Sequence, residues 1–237
     1  MTVNKTSPMR RHTIRAVGAA CLAFTGFCAT PTLAATTADL LATAPVFQLI
    51  LDNSGSSPAT DAGFVTSAWP IVEGWLRKMP LGTVIIVNSV GDASLTPMTM
   101  RTRIQQRQTA EGAPLDQIIP AIKNIVLGFP KRIQGAAHGQ THMVGGIFDA
   151  SRNINKSAST KNVILLLSDL IEFSPIANCY KEKGCTLPKP KFNLEGTEVL
   201  ALGVGRGLPS DREMALFGSW EQFFTQTGAT FELKKTF

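Results

Sequence analysis

Four runs of almost unbroken apolar residues, each about as long as a strand and each parted from the next by helix-like sequence, restrict this chain more than any other feature. They are Val46 to Leu51 (VFQLIL), Thr83 to Val87 (TVIIV), Asn162 to Leu167 (NVILLL) and Glu198 to Gly203 (EVLALG). A strand that is apolar on both sides has to be covered on both faces. Between the runs lie helical patterns. Ser57 to Asp61 offer caps for a helix carrying Phe64, Val65, Ala68, Trp69, Val72, Trp75 and Leu76, with an expected kink at Pro70. Pro114 to Leu127 places Leu115, Ile118, Ile119, Ile122, Ile125 and Val126 on one face, a further helix follows Thr141 to about Ile154, and Ser210 and Asp211 open a helix that stops at Gly228. In that last helix Phe217, Trp220, Phe223 and Phe224 fall at core spacing. Met98 to Ile104 alternates like an edge strand and Ala229 to Lys234 closes the series. Parallel neighbours need long crossovers, so the expected architecture is a three-layer, doubly wound α/β fold whose mostly parallel sheet has one antiparallel edge strand.

At 237 residues the chain suits one such core, and 44% hydrophobic against 17% charged residues excludes a disordered chain. The first 34 residues read differently. Lys5, Arg10, Arg11 and Arg15, with no acid, precede an apolar run from Ala16 to Thr30 and then Pro31, Thr32, Leu33 and Ala34. This is the three-part pattern of a secretory signal. At about 15 residues the run is short of the roughly 20 that span a bilayer. Residues 1–34 are therefore expected to be a cleaved signal and 35–237 a single domain, with contact to the membrane only in transit and a periplasmic or secreted destination. Arg10 and Arg11 leave the twin-arginine route open beside the general one. Loss of those four cations takes the formal charge from +6 to +2, which offers no nucleic-acid surface. Cys21 and Cys28 leave with the signal. Cys179 and Cys185 remain in a polar stretch where an oxidising compartment favours a disulfide; a metal pair is the weaker alternative, because no other Cys or His is near in sequence.

In open parallel sheets the working site lies beyond the carboxyl ends of the strands. Three loops put oxygen ligands there. The first strand runs into Asp52, Asn53, Ser54, Gly55 and Ser56; Thr141 stands at the mouth of its helix; and NVILLL ends in Ser168 and Asp169. In these elements and their order the sequence resembles the von Willebrand factor type A family with its metal-ion-dependent adhesion site. The resemblance extends over nearly all of the mature chain, including Gly145 and Gly146 and the LGVG ending at Gly205. It implies a metal site made by Asp52, Ser54, Ser56, Thr141 and Asp169. The donor chemistry agrees: a hard cation wants six oxygens, and hydroxyls from Ser54, Ser56 and Thr141 are neutral donors while Asp52 and Asp169 bring charge. Mg²⁺ is the expected ion, with Mn²⁺ or Ca²⁺ as alternatives; without imidazole or thiolate, Zn²⁺ fits poorly. Ordinary roles compete with this, since Ser and Thr cap helices and a strand-end Asp often accepts backbone amides. His138 and His142 flank Thr141, where capping or solvation outweighs metal contact.

Two departures from the family pattern sit beside the site. Where a helix is usual, residues 172–196 carry Pro175, Pro188, Pro190, Gly184 and both mature cysteines, which points to a stapled loop insertion whose Lys181, Lys183, Lys189 and Lys191 form a basic stretch. Asp169 is followed by Leu170 where Gly is frequent. The function that the resemblance implies is metal-dependent binding of a protein ligand that presents Asp or Glu. A soluble part of a secretion, pilus or conjugation apparatus shares that physics. A metal-dependent hydrolase is the minority alternative, because no lysine, second strand-end carboxylate or general base is expected to accompany the Asp52 loop.

Overall fold

In the computed structural model the residues described are 44–91, 100–134, 139–154, 162–180 and 185–234. The signal segment 1–34, His138, Lys181, Lys183 and the start of the expected edge strand lie outside them. The described residues all belong to one unit, Ala35–Phe237.

Each apolar run is a strand. β1 (Val46–Asp52), β2 (Val84–Val90), β4 (Asn162–Leu167), β7 (Thr197–Leu202) and β8 (Thr230–Lys234) pair in parallel, and β3 (Met100–Arg103) pairs antiparallel with β2 at one edge. Their spatial order is β3-β2-β1-β4-β7-β8. The winding reverses between β1 and β4, and that is where open sheets of this kind form a crevice at their carboxyl ends.

The strands divide their side chains by alternation. Phe47, Leu49 and Leu51 of β1 and Val163, Leu165 and Leu167 of β4 pack on α1 (Ala62–Arg77) and α2 (Leu115–Arg132). On the opposite face Val46, Ile50, Ile164 and Leu166 meet α3 (Met143–Ile154) and α4 (Ser210–Thr227), including Trp220, Phe223 and Phe224. The result is helix, sheet, helix.

The helices depart from expectation in two places. α1 runs unbroken through Pro70, and α2 continues past Leu127 to Arg132 with Pro120 and Pro130 inside it. Pro70 and Pro120 lie on exposed faces, where water can take up the carbonyl freed by a missing N–H. Buried Phe129 and Ile133 draw the end of α2 onto the core. α4 stops as expected at Gly228, whose φ of 77° is the left-handed cap that glycine adopts without penalty. No helix among the described residues is long and apolar enough to cross a membrane.

Between β4 and β7 there is no helix among the described residues. Phe173–Ser174 (β5) and Ala177–Asn178 (β6) make a small antiparallel hairpin that was not expected, followed by the disulfide Cys179–Cys185. The stapled segment lies on α4: Arg212 donates to the Cys179 carbonyl at 3.2 Å and to that of Tyr180, and the Ser219 hydroxyl donates to the Cys185 carbonyl.

Candidate metal centre

β1 ends in Asp52, fully buried, because its neighbours β2 and β4 run beside it to the same level. The chain then turns sharply. The Asn53 amide donates to the Val90 carbonyl at 2.7 Å and the Ser54 amide to Asp52 Oδ1 at 2.8 Å, so the turn is pinned by the aspartate that begins it. Ser57 caps the short 3-10 turn Pro58–Thr60, its oxygen accepting from the Ala59 amide at 3.1 Å, and Asp61 caps α1 through the Gly63 and Phe64 amides. A Cβ on Gly203, at the end of β7, would stand 2.5 Å from Pro58 Cγ, so glycine there lets this turn seat against the sheet. Capping duty falls on Ser57 and Asp61, and Ser54 and Ser56 are left for other work.

Asp169 stands one residue beyond Ser168 at the end of β4. It too is fully buried, and its Oδ1 accepts from the Ile171 amide at 3.0 Å. Ser168 bridges the strand ends: its hydroxyl donates to Asp52 Oδ2 at 2.7 Å and accepts from the Leu170 amide at 2.9 Å. Thr141 arrives from the third loop. Its backbone exchanges two hydrogen bonds with Phe173, at 3.0 and 3.1 Å, which fixes the mouth of α3 against the hairpin that follows Asp169.

The five residues expected to act together are brought to one crest. Ser54, Ser56 and Thr141 line a common cleft of about 320 Å³. The Ser56 hydroxyl is near enough to the Asp169 carboxyl to favour its charged form, and the Asp52 charge acts on the same group in the opposite sense. Burial raises the Asp52 carboxyl above its ordinary range, against the pull of Ser168 and Ser54. Burial first, and the Asp52 charge second, push Asp169 up to about 7. Two desolvated acids therefore share a region with no described salt bridge to either of them. Four polar atoms described in this region are buried without a hydrogen bond, Asn53 Oδ1, Ser54 Oγ, Asp169 Oδ2 and Glu172 Oε1, and two of them, Ser54 Oγ and Asp169 Oδ2, belong to the expected ligands. Buried polar atoms are rarely left so. Paired carboxylates among neutral hydroxyls are a donor set that suits a hard divalent cation, and the orphaned atoms are donors such an ion would satisfy. Among the described residues no three His, Cys, Asp or Glu side chains cluster in a manner that could hold an ion, so the hydroxyls are essential to the set.

Of the flanking histidines, His142 lies in the described part. Its amide donates to the Gly91 carbonyl and its carbonyl accepts from Gly146, while the ring lies 3.4 Å from Gln140 Oε1. Its backbone stands at the mouth of α3, and the described ring contact is to Gln140 and not to the helix amides.

Sequence reasoning missed Glu172. Fully buried, it accepts the Val144 amide at 2.9 Å through Oε2, which ties the first turn of α3 to the loop after Asp169. Burial pushes its carboxyl up to about 7. An acid facing a helix N-terminus is favourably placed; lying in a proline-bounded stretch 28 residues away from its helix partner, it carried no local signal.

No protein-family model matches the sequence. No curated protein matches it either. Among solved structures, the chain is similar to proximal thread matrix protein 1 from the mussel byssus (13% identity, TM-score 0.45, covering 80% of this chain and 44% of that one). It is similar also to a von Willebrand factor type A protein from Catenulispora acidiphila (13%, TM-score 0.42, 81% and 39%) and to the ArnB paralog VWA2 from Sulfolobus acidocaldarius (9%, TM-score 0.40, 82% and 42%). The chain spans less than half the length of each. At these identities and scores nothing about activity or partners passes from them to this chain. The six-stranded order, the single antiparallel edge strand and the helices on both faces give the chain a von Willebrand factor type A-like, Rossmann-type α/β fold.

Proposed function

We propose that this chain is a metal-dependent protein-binding module of the cell envelope, in which Asp52, Ser54, Ser56, Thr141 and Asp169 hold Mg²⁺, or Mn²⁺ or Ca²⁺ in its place. The cation would supply a Lewis-acidic vacancy for one carboxylate oxygen of a partner's Asp or Glu. The chain's own residues do the rest. Ser168 holds Asp52 in place, the Ile171 amide orients Asp169, and the Thr141–Phe173 bridge sets the third loop at its distance from the other two. The five proposed donors would fill five of the six positions a hard divalent ion such as Mg²⁺ takes, leaving one for a partner's oxygen.

The observation that carries this reading is the pair of buried strand-end carboxylates, close enough for one to raise the other, beside the unbonded Ser54 Oγ and Asp169 Oδ2. A buried pair of like charges is costly unless something compensates it. Export to the periplasm or beyond belongs to the same proposal; it rests on the signal-like pattern of residues 1–34 and agrees with a Cys179–Cys185 bridge. So does a non-enzymatic role.

Calorimetric titration of the purified protein with Mg²⁺ and Mn²⁺ tests it. Saturable binding is expected in the wild type, lost in Asp52→Ala and weakened in Ser54→Ala, with far-UV circular dichroism unchanged. Equal binding by all three proteins would remove the site, and turnover of a generic phosphate ester would move the chain to the hydrolases.

A further inference from the structure

The cleft that receives Ser54, Ser56 and Thr141 has a second wall. Beside the hydroxyls the lining of the cleft includes Ile171, Phe173 and Tyr180, all contributed by the segment after Asp169. Its exposed lining is mainly apolar, and no Asp, Glu, Lys or Arg is part of it among the described residues. Ile171 is buried, Phe173 half-buried, and Tyr180 stands at the mouth with half its surface in solvent. The Phe173 and Tyr180 rings meet edge to face at 6.3 Å between centroids, so they form one aromatic surface. Ile176, at the tip of the same hairpin, is 53% exposed.

Three properties limit what such a cleft can take. Its volume of about 320 Å³ is near the lower end of about 300 Å³ for small-molecule sites, which suits one large side chain. Its described lining exposes mainly apolar surface, which favours an apolar side chain. It adjoins the two strand-end carboxylates, where a bound cation would draw a partner's acid, so what enters the cleft must be attached to that acid. The aromatic wall is also held firmly. Phe173 is hydrogen-bonded through its backbone to Thr141, and Tyr180 is anchored by the Cys179–Cys185 bridge next to it and by Arg212 on its carbonyl. A pre-set aromatic surface is the kind on which binding energy concentrates.

We infer that the cleft is a specificity pocket for a peptide segment of the partner, in which a large apolar or aromatic side chain next to the metal-seeking Asp or Glu packs between Ile171, Phe173 and Tyr180. The inference rests on the metal-dependent reading above and adds the chemistry of the partner's recognition sequence. It also accounts for the stapled segment, which brings aromatic residues into the cleft that the hydroxyls line.

A random-heptapeptide display selection on the full chain in Mg²⁺, repeated in EDTA and with Tyr180→Ser, tests it. Wild type in Mg²⁺ is expected to enrich Asp or Glu with Phe, Tyr, Trp or Leu within two positions. A synthetic peptide from that pool should bind about tenfold tighter than its analogue with Ala at the apolar position, the worth of burying one such side chain. Tyr180→Ser should keep Mg²⁺ binding and the acidic enrichment but lose the apolar preference. Acidic, Mg²⁺-dependent enrichment with no apolar neighbour, or with one that Tyr180→Ser leaves unchanged, overturns the pocket and leaves the metal reading standing. Apolar enrichment without an acid that persists in EDTA overturns the pairing and the metal reading together. A selection with no sequence preference, on protein that binds Mg²⁺ by calorimetry, overturns the pocket.

Discussion

The ends of β1 and β4 each deliver a fully buried aspartate to the same crest, yet they satisfy it differently. Asp52 has both oxygens engaged, Oδ1 by the Ser54 amide and Oδ2 by the Ser168 hydroxyl. Asp169 has one oxygen on the Ile171 amide and the other without a hydrogen bond. After Asp52 the chain turns through a Ser-Gly-Ser sequence that bends without strain; after Asp169 it passes through Leu170 at φ 57°, a left-handed conformation on a fully buried, branched residue. One aspartate is part of the scaffold. The other keeps one buried oxygen without a hydrogen bond, which the proposed cation would satisfy.

Removal of each carboxylate should separate these roles with the largest effect. Asp52→Ala and Asp169→Ala are both expected to lose Mg²⁺ binding by calorimetry, but their metal-free stabilities should diverge. Asp52→Ala strands the Ser54 amide and the Ser168 hydroxyl in the interior, at about 1–3 kcal/mol for each unsatisfied group. Asp169→Ala strands one amide and removes an orphaned oxygen, while the mutual repulsion of the two carboxylates is relieved by either substitution. Urea unfolding in EDTA should place Asp52→Ala about 2–4 kcal/mol below wild type and Asp169→Ala within about 1 kcal/mol of it. Equal losses would mean that the two strand ends are equivalent after all.

pH provides a smaller, continuous probe of the same contrast. Asp169 and Glu172 are both raised in the folded protein to about 7. A raised folded value means that the native state binds protons more tightly than the unfolded chain. The associated stability is complete below about pH 4, the unfolded range, and is lost as pH climbs through about 7. The melting temperature in EDTA is expected to fall between about pH 5 and 8. Asp61 and Glu73 act in the opposite sense, since the Arg206 and Arg77 guanidinium groups beside them hold their carboxyls below the usual range. Both are half-exposed, and their contribution disappears only as pH drops below about 4. Mg²⁺ competes with the protons on Asp169, so its affinity should rise with pH by up to about tenfold per unit below about 7 for each proton displaced, and level off above. A pH-independent affinity from about 5.5 to 8 would show that Asp169 is already ionised without metal.

The strands and the crest were legible in the sequence for one reason. VFQLIL and NVILLL are apolar on both faces, and the Asp that ends or follows each run marks where burial has to give way to a loop. The one polar residue in the first run, Gln48, is absorbed by partners that no local pattern announces, Asn88 at 3.0 Å and Asn153 at 3.4 Å. Proline misled the reading of where α2 ends, since the helix runs on through Pro130 to Arg132 with Phe129 buried on the core. The hairpin Phe173–Asn178 and the Glu172 tie to α3 were invisible, since each is made by contacts that no local pattern encodes. The disulfide was expected from compartment and spacing, and the pairing is the one formed. What stayed hidden was its place: it stands next to Tyr180 and thus to the aromatic wall of the cleft.

Leu170 gives the smallest effect and the sharpest question. The left-handed conformation costs an L-residue with a Cβ about 1–2 kcal/mol, and here it is accepted because the side chain is fully buried in the core and the backbone is bound on both sides. The Leu170 amide donates to Ser168, and its carbonyl accepts from the Trp220 indole at 2.7 Å and from the Glu172 amide at 3.1 Å. Truncation to Ala removes the packing and keeps the penalty, at about 2–5 kcal/mol. Truncation to Gly removes a little more packing and relieves the backbone. At an ordinary buried position Gly is worse than Ala by about 0.5–1 kcal/mol; at Leu170 the order should reverse, with Leu170→Gly more stable than Leu170→Ala by about 1 kcal/mol in urea unfolding. The reversal would establish that the loop beyond Asp169 is held in a strained state by the core beneath it, as the contrast with the relaxed turn after Asp52 requires. Ala better than Gly would place Leu170 among ordinary core residues and remove the strain from one side of the crest.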